Sequence, residues 1–273
     1  MWDNLGVKNN KKKLVIISGV TGAIGSALFA AYGQRKDTVI YGISRKAQPV
    51  EVFLKGGKMP LATLICSIGE GLDYGRLFKE IDYSCVSELV YVHALGLYPF
   101  EVDNNGSIKI ENDNNGDGIN DEVNRLTFES FVSATSTLNK CWEGKSKCII
   151  FAGIADKHRP LVHQSWWKTI EKVKEYMIKT VSDNSNMSML VFSISSVLCP
   201  HEVITRPFVF TDTDAEQRYW LDPYELAKYV VNKTDSTRGY REYEKFRIKP
   251  GFKEDSYYKD RFFTPRKVKE LFN

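Results

Sequence analysis

With 273 residues, 42% hydrophobic and 26% charged, the chain is long enough to bury one sizeable core and has an ordinary globular composition. A net charge of +4 is too small to argue for a nucleic-acid partner, and no apolar run reaches membrane-spanning length. The five cysteines, Cys66, Cys85, Cys141, Cys148 and Cys199, show no metal-type spacing and imply no disulfide framework, so a reducing cytoplasm is the expected location.

The first element is the apolar run Leu14–Ser18, which reads as a buried strand and not a secretion signal. It flows into Gly19-Val20-Thr21-Gly22-Ala23-Ile24-Gly25, three glycines at three-residue spacing, and then into the helix-forming stretch Ser26–Tyr32. Strand, glycine turn and helix in that order form the phosphate-binding grammar of a dinucleotide fold. Gly19 permits the turn, Gly22 lets a pyrophosphate approach the backbone at the helix N-terminus, and Gly25 clears room for helix to pack on strand. Thr38–Ile43 and Leu61–Cys66 read as the second and third strands. A helix over Tyr74–Ile81 leads to a fourth strand, Glu88–His93, and the small turn Ala94-Leu95-Gly96.

The polar segment 97–125 interrupts this alternation. Within it Asp113, Asn115, Asp117 and Asp121 take positions 1, 3, 5 and 9 of a calcium-type loop with Gly118 at position 6. Position 12, commonly a glutamate, is Asn124, and a polar hairpin tip explains the same composition. Helical periodicity returns over Thr127–Trp142. A fifth strand spans Lys147–Phe151, an amphipathic helix Lys168–Val181 and a sixth strand Met189–Ile194. Beyond Pro200 a strand at Pro207–Phe210 and a helix over Asp222–Val231 precede a mildly basic tail, 237–273, rich in Tyr and Phe. The tail reads as a packed substrate-side surface in preference to an RNA surface. The expected fold is therefore α/β: a Rossmann-like, doubly wound parallel sheet forming a single domain over 1–273, with 97–125 inserted and a small C-terminal lobe at 201–273.

The GxxGxxG motif with Ser18 before it resembles the short-chain dehydrogenase/reductase family, in its extended or atypical branches, over roughly Leu14–Pro200. The resemblance implies a nicotinamide cofactor held by Gly19, Thr21, Gly22, Ala23, Ile24 and Gly25, with Ala94 and Gly96 against the nicotinamide-side ribose. Where NAD-dependent relatives carry an acidic residue at the end of the second strand, this chain has Ser44 and Arg45. A 2′-phosphate suits that pair, so NADP is the expected cofactor and NAD the lesser alternative.

The family's chemistry uses a tyrosine, a lysine four residues on and a serine after strand five. Strand five here runs into Ala152-Gly153-Ile154-Ala155-Asp156 without the serine. The lysine position falls on Lys172, which the resemblance implies as ribose ligand, and four residues earlier stands Lys168 instead of tyrosine. Three readings follow: an NADP-dependent oxidoreductase or epimerase of a small carbonyl, hydroxyl or sugar-nucleotide substrate, with Lys168, His163 or Asp156 as proton donor; a catalytically silent nucleotide-binding regulator; or an assembly subunit. A homodimer through the Lys168–Val181 helix is a further expectation. His93 is expected to pack beneath the turn that follows it.

Overall fold

The computed structural model describes residues 12–44, 63–67, 74–96, 112–153, 159, 163–195, 197–198 and 220–246. Seven parallel strands form one sheet in the order β3-β2-β1-β4-β5-β6-β7. They are β1 (Lys12–Ser18), β2 (Thr38–Ser44), β3 (Thr63–Ser67), β4 (Val86–His93), β5 (Ser146–Gly153), β6 (Met187–Ile194) and β7 (Tyr240–Lys245). The chain winds outward through β2 and β3, then returns to pair β4 on the other side of β1, so the direction reverses between β1 and β4. Open α/β sheets bind ligands at such a switch point, outside the strand carboxyl ends.

Both faces of the sheet are covered, and its central strands accordingly read as continuous apolar runs. One face packs Val15, Ile17, Val90, Ile149 and Leu190 under helices α1 (Ala23–Gly33) and α6 (Pro223–Ser236). The other packs Leu14, Ile16, Tyr91, Cys148 and Met189 under α2 (Tyr74–Lys79), α4 (Ser130–Cys141) and α5 (Gln164–Asp183). A one-turn helix α3 (Asp121–Val123), capped by the Asn120 side chain, and a π-helical segment, Asn124–Glu129, lead into α4. Among the described residues no helix is long and apolar enough to cross a membrane.

The strands at 38–44, 63–67, 86–93, 146–153 and 187–194 fall where the apolar runs place them, with ends shifted by at most two residues. The seventh strand was not anticipated. Tyr240–Lys245 lies within the stretch read as a tail, yet it pairs with β6 from Met189↔Tyr240 to Ile194↔Lys245 and extends the main sheet. The strand expected at Pro207–Phe210 lies outside the described residues.

At the opposite, amino-terminal edge of the sheet, a charge network ties the layers together. Lys147 is 1% exposed; its Nζ donates to Glu88 Oε1 at 2.9 Å and to the Thr234 and Asp235 carbonyls in the last turn of α6. Lys13 bridges Glu88 and Asp235, and Arg35 also reaches Asp235. Burial opposes the charge on Glu88, but the hydrogen bonds from Lys147 and Lys13 outweigh it and hold its carboxyl below the usual range.

Candidate functional site

The switch point is built from two turns. Out of β1, Gly19 has φ +79°, and its amide donates to Ile43 O at 3.0 Å. A Cβ there would run into the Ala94 carbonyl, 2.8 Å from its carbon. Gly25, in the first turn of α1, would drive a Cβ against the Gly19 carbonyl in the same way. Gly22 differs. It is exposed, serves as N-cap with φ −79° and no side-chain cap bond, and a Cβ would find only Gly19 O, at 3.3 Å. The first turn of α1 carries no acidic residue. Thr21 is exposed beside Gly22, and Ala23 and Ile24 are half-buried.

Out of β4, the Ala94 amide donates to Ser18 O at 2.9 Å, which docks the second turn beside the first. Gly96 is exposed on one side, and on the other a Cβ would sit 3.1 Å from the Trp166 ring. Ser44 ends β2 and is buried; Arg45 lies outside the described residues.

Beneath both turns runs a buried polar network. His93 is completely buried, as expected. Its Nε2 lies 3.1 Å from the Leu126 carbonyl, which can only accept, so Nε2 carries the proton and Nδ1 accepts from Tyr91 Oη at 3.0 Å. Ser18 Oγ stands 3.1 Å from Tyr91 Oη and 3.4 Å from Tyr74 Oη. Ser130 Oγ donates to the Leu126 carbonyl and lies 3.3 Å from His93 Nε2. Desolvation pushes His93 down to about 4 and the Tyr91 and Tyr74 hydroxyls up, so the whole network is neutral near pH 7.

Helix α5 presents three faces. Ile170, Val173 and Met177 are buried toward the sheet, with Trp166 packed against the same cluster. Ser165 and Thr169 are buried, and Tyr176 Oη meets Thr135 Oγ1 of α4 at 2.8 Å. Lys168, two residues from Trp166, is turned about 200° from it around the helix. Its Nζ donates to the Asp117 carbonyl at 2.7 Å, and Lys172 Nζ pairs with the Asp117 carboxylate at 2.6 Å. The α5 side chain brought to the Gly96 turn is therefore Trp166, while both lysines meet the inserted loop. Of the other donors, His163 is buried at the start of α5, and Asp156 lies outside the described residues.

The loop itself is folded around Asp113, whose carboxylate accepts the Asp117 and Gly118 amides at 3.2 and 2.8 Å. Gly118, at φ +78°, makes room for Lys168 and Gln164, which a Cβ would strike. Asp121 accepts from Asn114, Asn115 is exposed, and Lys172 lowers the Asp117 carboxyl, chiefly by its hydrogen bond. Among the described residues no three His, Cys, Asp or Glu side chains gather closely enough to hold a metal ion.

Sequence reasoning noted Ser18 only beside the glycine motif and missed Tyr74, Tyr91 and Ser130. The one available signal was local: Tyr91 and His93 alternate on a single face of an otherwise apolar strand.

Neither a protein-family model nor a curated protein sequence matches the chain. Solved structures do. A short-chain dehydrogenase/reductase of the glucose/ribitol dehydrogenase type from Brucella melitensis aligns at TM-score 0.63 and 12% identity, covering 86% of this chain and 96% of that one. An actinorhodin polyketide ketoreductase variant with NADPH aligns at 0.61 and 12%, over 86% and 96%. Serine dehydrogenase from Escherichia coli aligns at 0.61 and 11%, over 85% and 96%. With sheet order, switch point and glycine turn already agreeing, these likenesses show that the chain has the Rossmann-like α/β fold of the short-chain dehydrogenases and reductases.

Proposed function

We propose that the chain binds a nicotinamide dinucleotide, NADP(H), across the carboxyl ends of β1, β2 and β4. The observation that carries this reading is Gly22. Packing accounts for Gly19 and Gly25, since a Cβ at either would meet backbone. It accounts for less of Gly22, which is exposed and has an ordinary φ, and where a Cβ would meet the Gly19 carbonyl oxygen at 3.3 Å, a tight contact that a small shift relieves. A bare N-cap with no acid in the following turn suits a pyrophosphate, whose oxygens need close access to the first amides of α1. Ser44 and Arg45, in place of a carboxylate, favour the 2′-phosphorylated cofactor. When bound, the nicotinamide would supply hydride chemistry.

On this reading the activity is an oxidoreduction or epimerisation of a small carbonyl, hydroxyl or sugar-nucleotide substrate, with a proton donor other than the family's tyrosine. A second reading, a catalytically silent nucleotide-binding regulator, is favoured by one observation. The α5 side chain at the Gly96 turn is an indole, which transfers no proton, and Lys168 and Lys172 are engaged by Asp117.

Fluorescence titration with NADPH and NADH tests the binding. Gly22→Ala is expected to weaken NADPH binding by about tenfold or more while lowering the melting temperature by only about 2 °C, because the Gly19 carbonyl can yield by the small shift a Cβ requires but a pyrophosphate needs the space itself. Unchanged affinity in Gly22→Ala overturns the site. Arg45→Ala should narrow the preference for NADP over NAD. Cofactor turnover with a panel of ketones, aldehydes and sugar nucleotides supports the enzyme, and tight binding without turnover supports the regulator.

A further inference from the structure

At the carboxyl ends of β1 and β4, Ser18, Tyr91 and His93 are all completely buried in an otherwise largely apolar sheet. Placing hydroxyls and an imidazole in such surroundings costs free energy that apolar side chains of the same size would not. A network of this kind is tolerable only when its members satisfy one another, and it then fixes one arrangement of the elements that carry them.

Those elements are the two turns of the candidate site and the helix that follows the insertion. Ser18 is the residue before Gly19. Its carbonyl receives the Ala94 amide and its hydroxyl meets Tyr91, so a single residue grips β4 at two points. Tyr91 donates to His93 Nδ1, and His93 Nε2–H donates to the Leu126 carbonyl in the π-helical turn. Phe131, edge-on at 5.5 Å from the His93 ring, closes the remaining side. A proton wire is a poor description, since the inner members have no solvent outlet.

We propose that Tyr91 and His93, acting through Ser18, are positioning residues for the nucleotide edge: they hold the Gly19 turn and the Ala94–Gly96 turn in fixed register so that both flank one ligand. The ligand half of this inference rests on the NADP(H) reading; the positioning half does not.

The test is Tyr91→Phe, which removes one hydroxyl at constant shape, with Tyr176→Phe as control. Tyr176 loses a comparable hydroxyl between α4 and α5, away from the turns. Amide hydrogen exchange on the ligand-free protein is the first readout. The Gly19 and Ala94 amides, bonded to Ile43 O and Ser18 O, should exchange about tenfold faster in Tyr91→Phe, while Val15 and Leu190 in the sheet centre stay within about twofold. NADPH affinity is the second, with a loss of about five- to twentyfold expected in Tyr91→Phe and none in the control. Equal acceleration across the sheet, or none at the two turns, overturns the positioning role. If the wild-type chain binds no NADPH, the dinucleotide reading falls while the exchange measurement still decides this one. If Tyr91→Phe does not fold, Ser18→Ala, which removes the same link from the other side, is read by the same two criteria.

Discussion

His93 makes the fold acid-sensitive in a defined window. In the folded chain burial pushes this imidazole from its ordinary 6.5 down to about 4, because the charged form has no water and its Nδ1 already accepts from Tyr91. In the unfolded chain it titrates normally. Between those two values the unfolded state therefore binds more protons, and stability rises with pH across the window. It is complete above about 6.5 and lost progressively toward 4. At about 1.36 kcal/mol per pH unit, the interval corresponds to about 3 kcal/mol. The depressed carboxyls of Glu88, Asp235 and Asp117 also destabilise on acidification, but only from their ordinary range downward, below most of the His93 window. The assay is urea unfolding at pH 7, 6, 5 and 4.5 for wild type and His93→Phe. At pH 7 the variant should be less stable by about 1–3 kcal/mol, since the Leu126 carbonyl and Tyr91 hydroxyl lose a partner. Because the variant cannot titrate there, wild type should lose most of the ~3 kcal/mol relative to it as pH falls to 4.5, so that the gap closes or reverses, and His163, present in both proteins, cancels. A gap that stays constant with pH refutes the reasoning.

Four further outcomes are expected. Lys147→Met should cost about 2–4 kcal/mol by urea unfolding, because it leaves Glu88 with Lys13 as its main partner and takes the donor from two helix-end carbonyls; adding Glu88→Leu should cost less than the sum of the single changes. Gly25→Ala should destabilise by more than about 3 kcal/mol or abolish soluble expression, in contrast to Gly22→Ala, as its Cβ meets backbone that cannot yield. Millimolar calcium should leave both the melting temperature and the proteolysis of the inserted loop unchanged, since the Asp117 carboxylate is paired with Lys172 and Asp113 is turned to loop amides. In a double-mutant cycle Asp117→Asn and Lys172→Ala should couple by less than about 1 kcal/mol, as the pair is partly exposed, and neither should change NADPH affinity by more than about twofold.

What could be read along the chain was what local periodicity records. Leu14–Ser18 and Met189–Ile194 are buried on both faces, so their apolar runs announce them. β7 does not, because it is an edge strand: Arg241, Glu242 and Glu244 face water, and Tyr243 alone stacks on Phe192, at 5.2 Å. Charged side chains of this kind discourage further pairing at an edge, and they also hide the strand from a reading of apolar runs. Helix α6 runs to Ser236, past the expected Val231, because Lys147 supplies donors to its polar last turn from a distant strand. The site divides the same way. Its glycines are contiguous and legible, whereas Ser18, Tyr74, Tyr91 and Ser130 are scattered over more than a hundred residues and meet only once the switch point forms.

The lysines of α5 show why position in a sequence is a weak guide to a helix face. Four-residue spacing places Lys168 and Lys172 on one side, but which side is set by Ile170, Val173 and Met177, whose burial orients the helix. With that stripe against the sheet, Trp166 reaches Gly96 and the lysines turn outward to an acidic insertion. The insertion in turn explains them. A loop carrying Asp113, Asp117 and Asp121 close to α5 needs cationic partners, and Gly118 is shaped to admit Lys168. Both lysines are engaged by Asp117, Lys168 through its carbonyl and Lys172 through its carboxylate. The two sides of the switch point thus differ: the glycine turn is exposed at Gly22, while the side chain that α5 brings to Gly96 is an indole.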